Sequence, residues 1–462
     1  MRLTHSLTTL LAAFVLALNM QAQKVQGYVH QQSASADYVW PTDARILQNL
    51  DNWQDRKFGV LFHWGIYSVP GIVESWSICS EDVDWITRPE EMTYEEYKQW
   101  YFGLKDQFNP VRFNPDQWAE IMHDAGMKYV IFTTKHHDGF CMFDSRYTDF
   151  SIAHGPFRNN PRKDVARHVF DAFRKKDFMI GCYFSKPDWH CPWFWSPNFA
   201  TPDRHPNYKR NRHPEWWKKY VQYTQNQLDE LLTRYGTIDI LWLDGGWIPG
   251  HEIGLDSVLA KARRQHPGLI AVDRTIRGKN ENYQTPELSI PKKQLNYPWE
   301  SCITLSNAWG WAPDATYKPA SQVIATLIEI VAKGGCYLLG IGPSPDGTIE
   351  QPVIERLQQV GAWLKKNGEA IYATRPTPLY HDGNIWFTAH KDGHTLYALY
   401  IPQNGEPMPE TLRWTGNVPK GKMTLLANGK RVSYQTNGQQ VTVRLPEHLP
   451  AEPLALRFQK AD

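Results

Sequence analysis

The sequence lacks the features that mark several classes of protein. Beyond its amino terminus, no apolar run in the 462 residues is long enough to span a bilayer, so no membrane span is expected. The net charge is only +2 and no basic run or stripe is present, so nucleic acid is not an expected partner. The six cysteines form no CxxC pair and no zinc-ribbon spacing, which argues against a structural metal site. No internal repeat is visible, and nothing in the sequence indicates an oligomeric state.

The amino terminus has the form of a secretory signal. Met1-Arg-Leu-Thr-His5 supplies a basic start, residues 6–18 a short apolar stretch, and Gln21-Ala-Gln23 a small-residue exit. The sequence therefore predicts a signal peptide over residues 1–22 and a soluble, exported protein, either periplasmic or extracellular. That location permits disulfides, but Cys182 and Cys336 follow apolar strand-like runs, which favours buried thiols.

Between residues 57 and 371, apolar strand-like runs alternate with amphipathic helical stretches. The predicted strands are Phe58–Phe62, Lys128–Thr134, Phe178–Phe184, Ile238–Leu243, Leu269–Val272 and Cys336–Ile341. The predicted helices include Asp164–Lys176, Trp216–Tyr235 and Ser321–Ala332. This rhythm is typical of a parallel sheet covered by helices. It predicts an α/β catalytic domain over residues 23–372, built as a (β/α)8-like TIM barrel.

After residue 371 the sequence changes character. Arg375-Pro-Thr-Pro378 is interpreted as a linker, and short alternating runs follow it. Asn428-Gly429 and Asn437-Gly438 fall between such runs, and Asn-Gly is a strong hairpin signal in that position. The sequence predicts a C-terminal antiparallel β-sandwich over residues 373–462.

One predicted strand ends in a carboxylate followed by two glycines, Asp244-Gly-Gly246. Side chains at the carboxyl ends of barrel strands point into the active site, so Asp244 is a candidate nucleophile. The alternative is that Asp244 caps the helix that follows. Other strands also end in ionisable or aromatic residues, and a purely structural interpretation explains that series poorly.

The adjacent pair His136-His137 offers ligand types that a metal would accept. Neighbouring residues on a strand point to opposite faces, however, and no HxH or HExxH motif accompanies the pair. Two neutral histidines that donate hydrogen bonds to sugar hydroxyls are the preferred interpretation. Many of the 20 tryptophans lie near Pro or Gly in predicted loops, which also favours carbohydrate.

Five motifs, in order along residues 40–375, resemble the family-29 α-L-fucosidases. They are Phe58-Gly-Val-Leu-Phe-His-Trp-Gly-Ile-Tyr-Ser-Val-Pro70, Lys135-His-His-Asp-Gly-Phe140, Trp242-Leu-Asp-Gly-Gly246, Pro298-Trp-Glu-Ser-Cys302 and Leu338-Leu-Gly-Ile-Gly-Pro-Ser-Pro-Asp-Gly-Thr348. The resemblance implies an exported enzyme that hydrolyses terminal α-L-fucosides with retention through a covalent fucosyl-enzyme. A fucosylated oligosaccharide or glycoconjugate is the implied substrate, and no cofactor or metal is expected.

The resemblance implies that Asp244 is the nucleophile. It further implies contacts to fucose from His63, Glu74, Trp76, His136, His137, Tyr183, Arg274 and Trp309. The histidines would hold hydroxyls, and Trp309 would pack against the C5 methyl group. In many relatives the residues that match Glu74 and Trp76 are adjacent, whereas here Ser75 separates them.

Two glutamates are candidates for the acid/base. Glu287 in Tyr283-Gln-Thr-Pro-Glu287 is preferred, and Glu300, which lies in a signature with Cys302, is the alternative. Retention requires the acid/base carboxyl to lie about 5–5.5 Å from that of Asp244. Three other functions remain open: a fucose-binding protein without catalysis, a barrel glycosidase for a related sugar such as a galactoside, and a metal-dependent hydrolase.

Overall fold

The computed structural model describes residues 38–81, 86, 88–403 and 406–461. The predicted signal peptide, residues 1–22, lies outside the described residues and stays a prediction. No helix in the described part of the chain is long and apolar enough to cross a membrane.

Among the described residues up to position 371, seven strands and eight helices build the first part of the fold. The strands are β1 (Phe58–Phe62), β2 (Tyr129–Lys135), β3 (Met179–Ser185), β4 (Ile240–Asp244), β5 (Ile270–Asp273), β6 (Glu300–Thr304) and β7 (Cys336–Ile341). The helices are α1 (Ala44–Arg56), α2 (Tyr94–Gly103), α3 (Pro115–Asp124), α4 (Val165–Arg174), α5 (Pro214–Arg234), α6 (Leu255–Gln265), α7 (Ala320–Ala332) and α8 (Gln351–Asn367). All six predicted strands are present to within two residues at each end.

The seven strands form one parallel sheet in the order β5-β4-β3-β2-β1-β7-β6. Their residues are almost all buried, as expected for strands covered on both faces. The concave face carries an apolar cluster that includes Leu61, Ile131, Trp242 and Leu338. The predicted parallel, TIM-like sheet is therefore confirmed.

The sequence did not predict β6, and the two edge strands β5 and β6 form no ladder with each other. The segment 281–288 lies between them instead. Glu281 bridges to Val272 of β5, and Glu287 bridges to Cys302 of β6. An irregular segment thus occupies the place of an eighth strand, which explains why no strand pattern marked it.

The second domain is an eight-stranded antiparallel sheet. Its strands are β8 (Thr374–Asp382), β9 (Ile385–His390), β10 (Thr395–Tyr400), β11 (Thr411–Thr415), β12 (Pro419–Leu425), β13 (Arg431–Asn437), β14 (Gln440–Arg444) and β15 (Leu454–Lys460). Both Asn-Gly pairs turn between consecutive antiparallel strands. The order is β11-β14-β13-β12-β15-β10-β9-β8, and Phe387 of β9 packs on Trp414 of β11, with ring centroids 5.8 Å apart. The sheet therefore folds over one core, in agreement with the sandwich-like prediction.

The predicted linker Arg375-Pro-Thr-Pro378 is wrong, because these residues belong to β8. Strand β8 lies at the edge of its sheet, where proline is tolerated because no ladder hydrogen bond is lost on the open side. Arg375 also pairs with Asp55 of α1, at 2.7 Å, and with Asp51. The start of the second domain is thereby fixed to the first helix of the barrel.

The six cysteines are all free and buried. Cys182, Cys302 and Cys336 lie on barrel strands, as the apolar context of two of them indicated. The fold thus needs no disulfide to close either domain.

Candidate active site

Polar side chains collect at the carboxyl ends of five adjacent strands. His63 follows β1, His136 follows β2, Tyr183 lies near the end of β3, Asp244 ends β4 and Arg274 follows β5. Parallel strands present their carboxyl ends at the same edge, so these residues share one pocket. All five are buried or nearly so.

Asp244 is held on both of its carboxylate oxygens. Tyr183 donates a hydrogen bond from its hydroxyl to Oδ2 at 2.6 Å, and Arg274 donates from Nη1 to Oδ1 at 3.0 Å. The backbone N–H of Gly245 also donates to Oδ1. Gly245 has φ +81°, and a Cβ there would lie 2.2 Å from Pro187, so only glycine fits. The carboxylate is therefore fixed in direction before any ligand arrives.

Arg274 joins the two candidate catalytic carboxylates. Its second amino group, Nη2, donates to Oε2 of Glu287 at 2.7 Å, and Nε donates to Thr285 at 3.0 Å. The guanidinium lies over the indole of Trp242, 4.3 Å from the ring centroid. One planar fork thus spans Asp244 and Glu287, a geometry that suits arginine and not lysine.

Glu300 does not lie beside Asp244 and Glu287. It begins β6, at the opposite end of the strand from the pocket, and is completely buried. The hydroxyl of Tyr129 donates to it at 2.7 Å and the indole N–H of Trp242 at 3.2 Å, and burial raises its pKa to about 7. Trp242 contacts Glu300 on one side and Arg274 on the other. Cys302, two residues further along β6, is buried with its sulfur 3.9 Å from Nη2 of Arg274.

His136 is fixed by residues of the first loop. Its Nδ1 lies 2.6 Å from the hydroxyl of Ser75, which also accepts a hydrogen bond from the backbone N–H of Asp138. Tyr101 donates to the carboxylate of Asp138 at 2.7 Å. Ser75 has φ +48°, a strained conformation for a residue with a side chain, and these bonds hold it there. The residue that interrupts the Glu-Trp pair therefore orients a histidine, a role that sequence analysis missed.

His137 points toward Asp244. Its Nε2 lies 3.9 Å from Oδ2 of Asp244, and its Nδ1 lies 2.7 Å from the hydroxyl of Ser185. Ser185 is paired with Asp244 in the register of β3 and β4. Sequence analysis missed Ser185, although it follows Tyr183 by two residues on a strand and so lies on the same face.

His63, Glu74 and Trp309 line the same pocket. His63 packs on Trp309 with ring centroids 5.1 Å apart, and its Nδ1 has no hydrogen-bond partner among the described residues. Burial lowers the pKa of His63 and of His137 to about 3. Burial, aided by the charges of Glu287 and Asp244, raises the pKa of Glu74 to about 8. The histidines and Glu74 are thus neutral near pH 7.

Three indoles and an arginine form one wall of the pocket beside His137. The ring of Trp76 lies within 5.6 Å of those of Trp189 and Trp247, and the guanidinium of Arg204 lies 4.8 Å from the centroid of Trp76. Glu81 pairs with Arg204 and fixes it in place. Trp189 is buried, whereas Trp76 and Trp247 are half-buried. No motif marked Arg204, because its partner is distant in sequence.

Ligand atoms of His136, His137 and Asp244 lie within 4.8 Å of one another, which is the spacing of a possible cation site. Both oxygens of Asp244 already accept hydrogen bonds, one of them from the positive guanidinium of Arg274. A cation there would be repelled by that charge. The arrangement favours a neutral hydroxyl-bearing ligand over a metal ion.

Known proteins are similar to this chain over most of its length. A family model described as alpha-L-fucosidase matches residues 25–369. Mouse tissue alpha-L-fucosidase is 31% identical over 433 residues, which cover 88% of this chain and 90% of that protein. Rat plasma alpha-L-fucosidase is 29% identical over 446 residues, covering 89% and 90%.

Two solved structures with a similar fold are also those of fucosidases. Alpha-L-fucosidase isoenzyme 1 from Paenibacillus thiaminolyticus has a TM-score of 0.76 at 29% identity, covering 91% of this chain and 100% of that one. Thermotoga maritima alpha-fucosidase in complex with fucose has a TM-score of 0.72 at 27% identity, covering 91% and 100%. This chain therefore belongs to the α-L-fucosidase family.

Proposed function

We propose that this protein releases terminal α-L-fucose from glycans with retention, through a covalent fucosyl-enzyme on Asp244. One observation carries the proposal: a single guanidinium, that of Arg274, donates hydrogen bonds to Asp244 and to Glu287. A pair of carboxylates facing one pocket is what glycoside hydrolysis needs. Glu287 supplies the acid/base.

In the first step, a carboxylate oxygen of Asp244 attacks the anomeric carbon while Glu287 gives its proton to the leaving oxygen. The glycosidic C–O bond breaks as the ester bond to Asp244 forms. In the second step, Glu287 takes a proton from water, whose oxygen attacks the anomeric carbon and frees Asp244. For its first role, Glu287 must leave Arg274 and turn toward the leaving oxygen when substrate binds.

The choice of Glu287 over Glu300 rests on position. Glu287 shares Arg274 with Asp244, whereas Glu300 is sealed behind Trp242 at the other end of β6. A carboxyl group with no path to the leaving oxygen has no way to deliver a proton, whatever its pKa. Retention also needs the two carboxyls only about 5–5.5 Å apart, and a shared guanidinium favours such a short separation.

The rest of the pocket suits a neutral sugar. His63, His136 and His137 are uncharged near pH 7 because they are buried, so they offer hydrogen bonds without attracting an anion. Trp309 presents an apolar face beside His63, which fits the C5 methyl group of fucose. An L-galactoside would place a hydroxymethyl group there, and its hydroxyl would be left without a partner.

Hydrolysis of p-nitrophenyl α-L-fucoside tests the proposal, with the β-D-galactoside as the comparison. We expect release from the fucoside alone, and proton NMR of the first product should show the α anomer of fucose. Asp244→Ala should reduce kcat by several orders of magnitude while the circular dichroism spectrum stays unchanged. Near-normal turnover by that variant would exclude Asp244 as the nucleophile. Binding of fucose without turnover by the native protein would favour the non-catalytic alternative.

Export is proposed from the amino-terminal sequence, with its basic start and short apolar stretch. Expression of the full chain in a Gram-negative host, followed by fractionation and amino-terminal sequencing, tests it. We expect periplasmic protein that begins near residue 23. Protein that stays in the cytoplasm with Met1 intact would contradict export.

A further inference from the structure

His137 and Ser185 meet beside the nucleophile, and their contacts determine where the histidine carries its proton. The Ser185 hydroxyl lies 2.6 Å from the backbone carbonyl oxygen of Pro187 and 2.7 Å from Nδ1 of His137. A hydroxyl has one proton to donate, and a carbonyl oxygen only accepts. The proton of Ser185 therefore goes to Pro187, and Ser185 can only accept from His137.

We infer that Ser185 holds His137 in the tautomer with a proton on Nδ1 and none on Nε2, so that His137 accepts a hydrogen bond from a sugar hydroxyl. This replaces the sequence-based expectation that both histidines of the pair donate. Ser185 is then a positioning residue, since it acts on the substrate through His137. The inference about the sugar rests on the proposed function, whereas the tautomer does not.

The charge state of His137 agrees with this assignment. Burial lowers its pKa to about 3 even though the carboxylate of Asp244 opposes that shift, so the ring is neutral at any pH where the protein is expected to work. A neutral imidazole carries one proton and one lone pair. With the proton on Nδ1, the lone pair lies on Nε2.

Two hydrogen-bond acceptors then lie close to each other in the pocket. Nε2 of His137 lies 3.9 Å from Oδ2 of Asp244, and that oxygen already receives the hydroxyl proton of Tyr183. Two lone-pair atoms at that distance repel, and a donor placed between them relieves the repulsion. A sugar hydroxyl is such a donor. A ligand that carries only an acceptor at this position, such as fluorine, leaves the pair unsatisfied.

Three indoles pack around the imidazole ring of His137. The imidazole lies 5.0 Å from the ring of Trp247, 5.2 Å from that of Trp189 and 5.3 Å from that of Trp76. The backbone N–H of Trp189 also donates to the carbonyl of His137 at 2.8 Å. The three indoles therefore keep Nδ1 on Ser185 and Nε2 on the substrate side.

Nitrogen-15 NMR of histidine-labelled protein tests the tautomer without substrate, with the His137 signals identified by their loss in His137→Gln. We expect a protonated Nδ1 and an unprotonated Nε2 in the native protein. A protonated Nε2, or a doubly protonated ring, would overturn the inference. Activity on the aryl fucoside is measured on the same sample. If the spectrum is the expected one but the protein does not hydrolyse the fucoside, the proposed function is overturned and the assignment of the tautomer stands.

Variants of Ser185 test its role. Ser185→Ala should shift His137 toward the tautomer protonated on Nε2 and lower kcat/KM about tenfold, whereas Ser185→Thr, which keeps the hydroxyl, should retain the native spectrum. Ser151→Ala is the matched control, because Ser151 is also buried and donates to a backbone carbonyl, that of Phe143. An unchanged spectrum in Ser185→Ala would overturn the positioning role. If Ser185→Ala does not fold, the spectrum of the native protein by itself decides the tautomer of His137.

Discussion

Arg274 donates a 3.0 Å hydrogen bond to Asp244 while its other amino group engages a second carboxylate. Lysine at position 274 would keep the charge but could not span both groups, since an ammonium has no planar fork. We expect Arg274→Lys to lower kcat/KM on p-nitrophenyl α-L-fucoside about 100-fold or more. Arg375→Lys is the matched control, because Arg375 also bridges two carboxylates, Asp51 and Asp55, far from the pocket. Equal activity of the two variants would contradict a role for Arg274 in the site.

A pair of matched substitutions tests which of Glu287 and Glu300 is the acid/base. Glu287→Gln should leave an enzyme that turns over an aryl fucoside with a good leaving group slowly and natural glycans hardly at all. Azide should accelerate it and yield fucosyl azide, because azide needs no general base. Glu300→Gln should change the unfolding midpoint, since it disturbs a buried hydrogen-bonded carboxyl, but azide should have no effect. Azide rescue of Glu300→Gln instead would reverse the assignment.

Glu74 should make stability depend on pH. Its pKa is raised from 4.5 to about 8 in the folded protein, mainly by burial. Between these values the unfolded carboxyl is ionised while the folded one keeps its proton, so the folded state binds more protons and stability falls as pH rises. The stabilising contribution is complete below pH 4.5 and is lost as pH rises through about 8.

Urea unfolding of the native protein and of Glu74→Gln at several pH values measures this effect. The difference in unfolding free energy between the two should change by at most about 1.4 kcal/mol per pH unit across that window. Glu355→Gln, at an exposed position on α8, is the control and should run parallel to the native protein. A constant difference between the native protein and Glu74→Gln would show that the Glu74 carboxyl is not perturbed.

Chelation should leave activity unchanged. The atoms of His136, His137 and Asp244 are close enough to hold an ion, but Arg274 places a positive charge on the same carboxylate. We expect the same rate of fucoside hydrolysis before and after dialysis against EDTA, and less than one equivalent of any transition metal by elemental analysis. Loss of activity that zinc restores would support the metal-dependent alternative.

The sequence predicted the parts of this site that lie on regular strands. Asp244 and Tyr183 could be placed because buried parallel strands are recognisable and their carboxyl ends meet. Ser75 and Arg204 could not, because their contacts with His136 and Glu81 join loops that only the folded chain brings together. The wrong prediction of a linker at Arg375 has a similar cause. Two prolines in the sequence indicate an interruption of secondary structure, and only an edge position in the folded sheet makes them compatible with a strand.

Asp244 and Glu287 lie on different kinds of chain segment. Asp244 ends a ladder strand, where inserting one residue would turn every later side chain to the opposite face. Glu287 is carried by the segment 281–288, which joins β5 and β6 through isolated bridges. An insertion in this irregular segment shifts the register of no ladder strand. The place of Asp244 in the pocket is therefore set by strand register, whereas that of Glu287 is set by a connection whose length can vary.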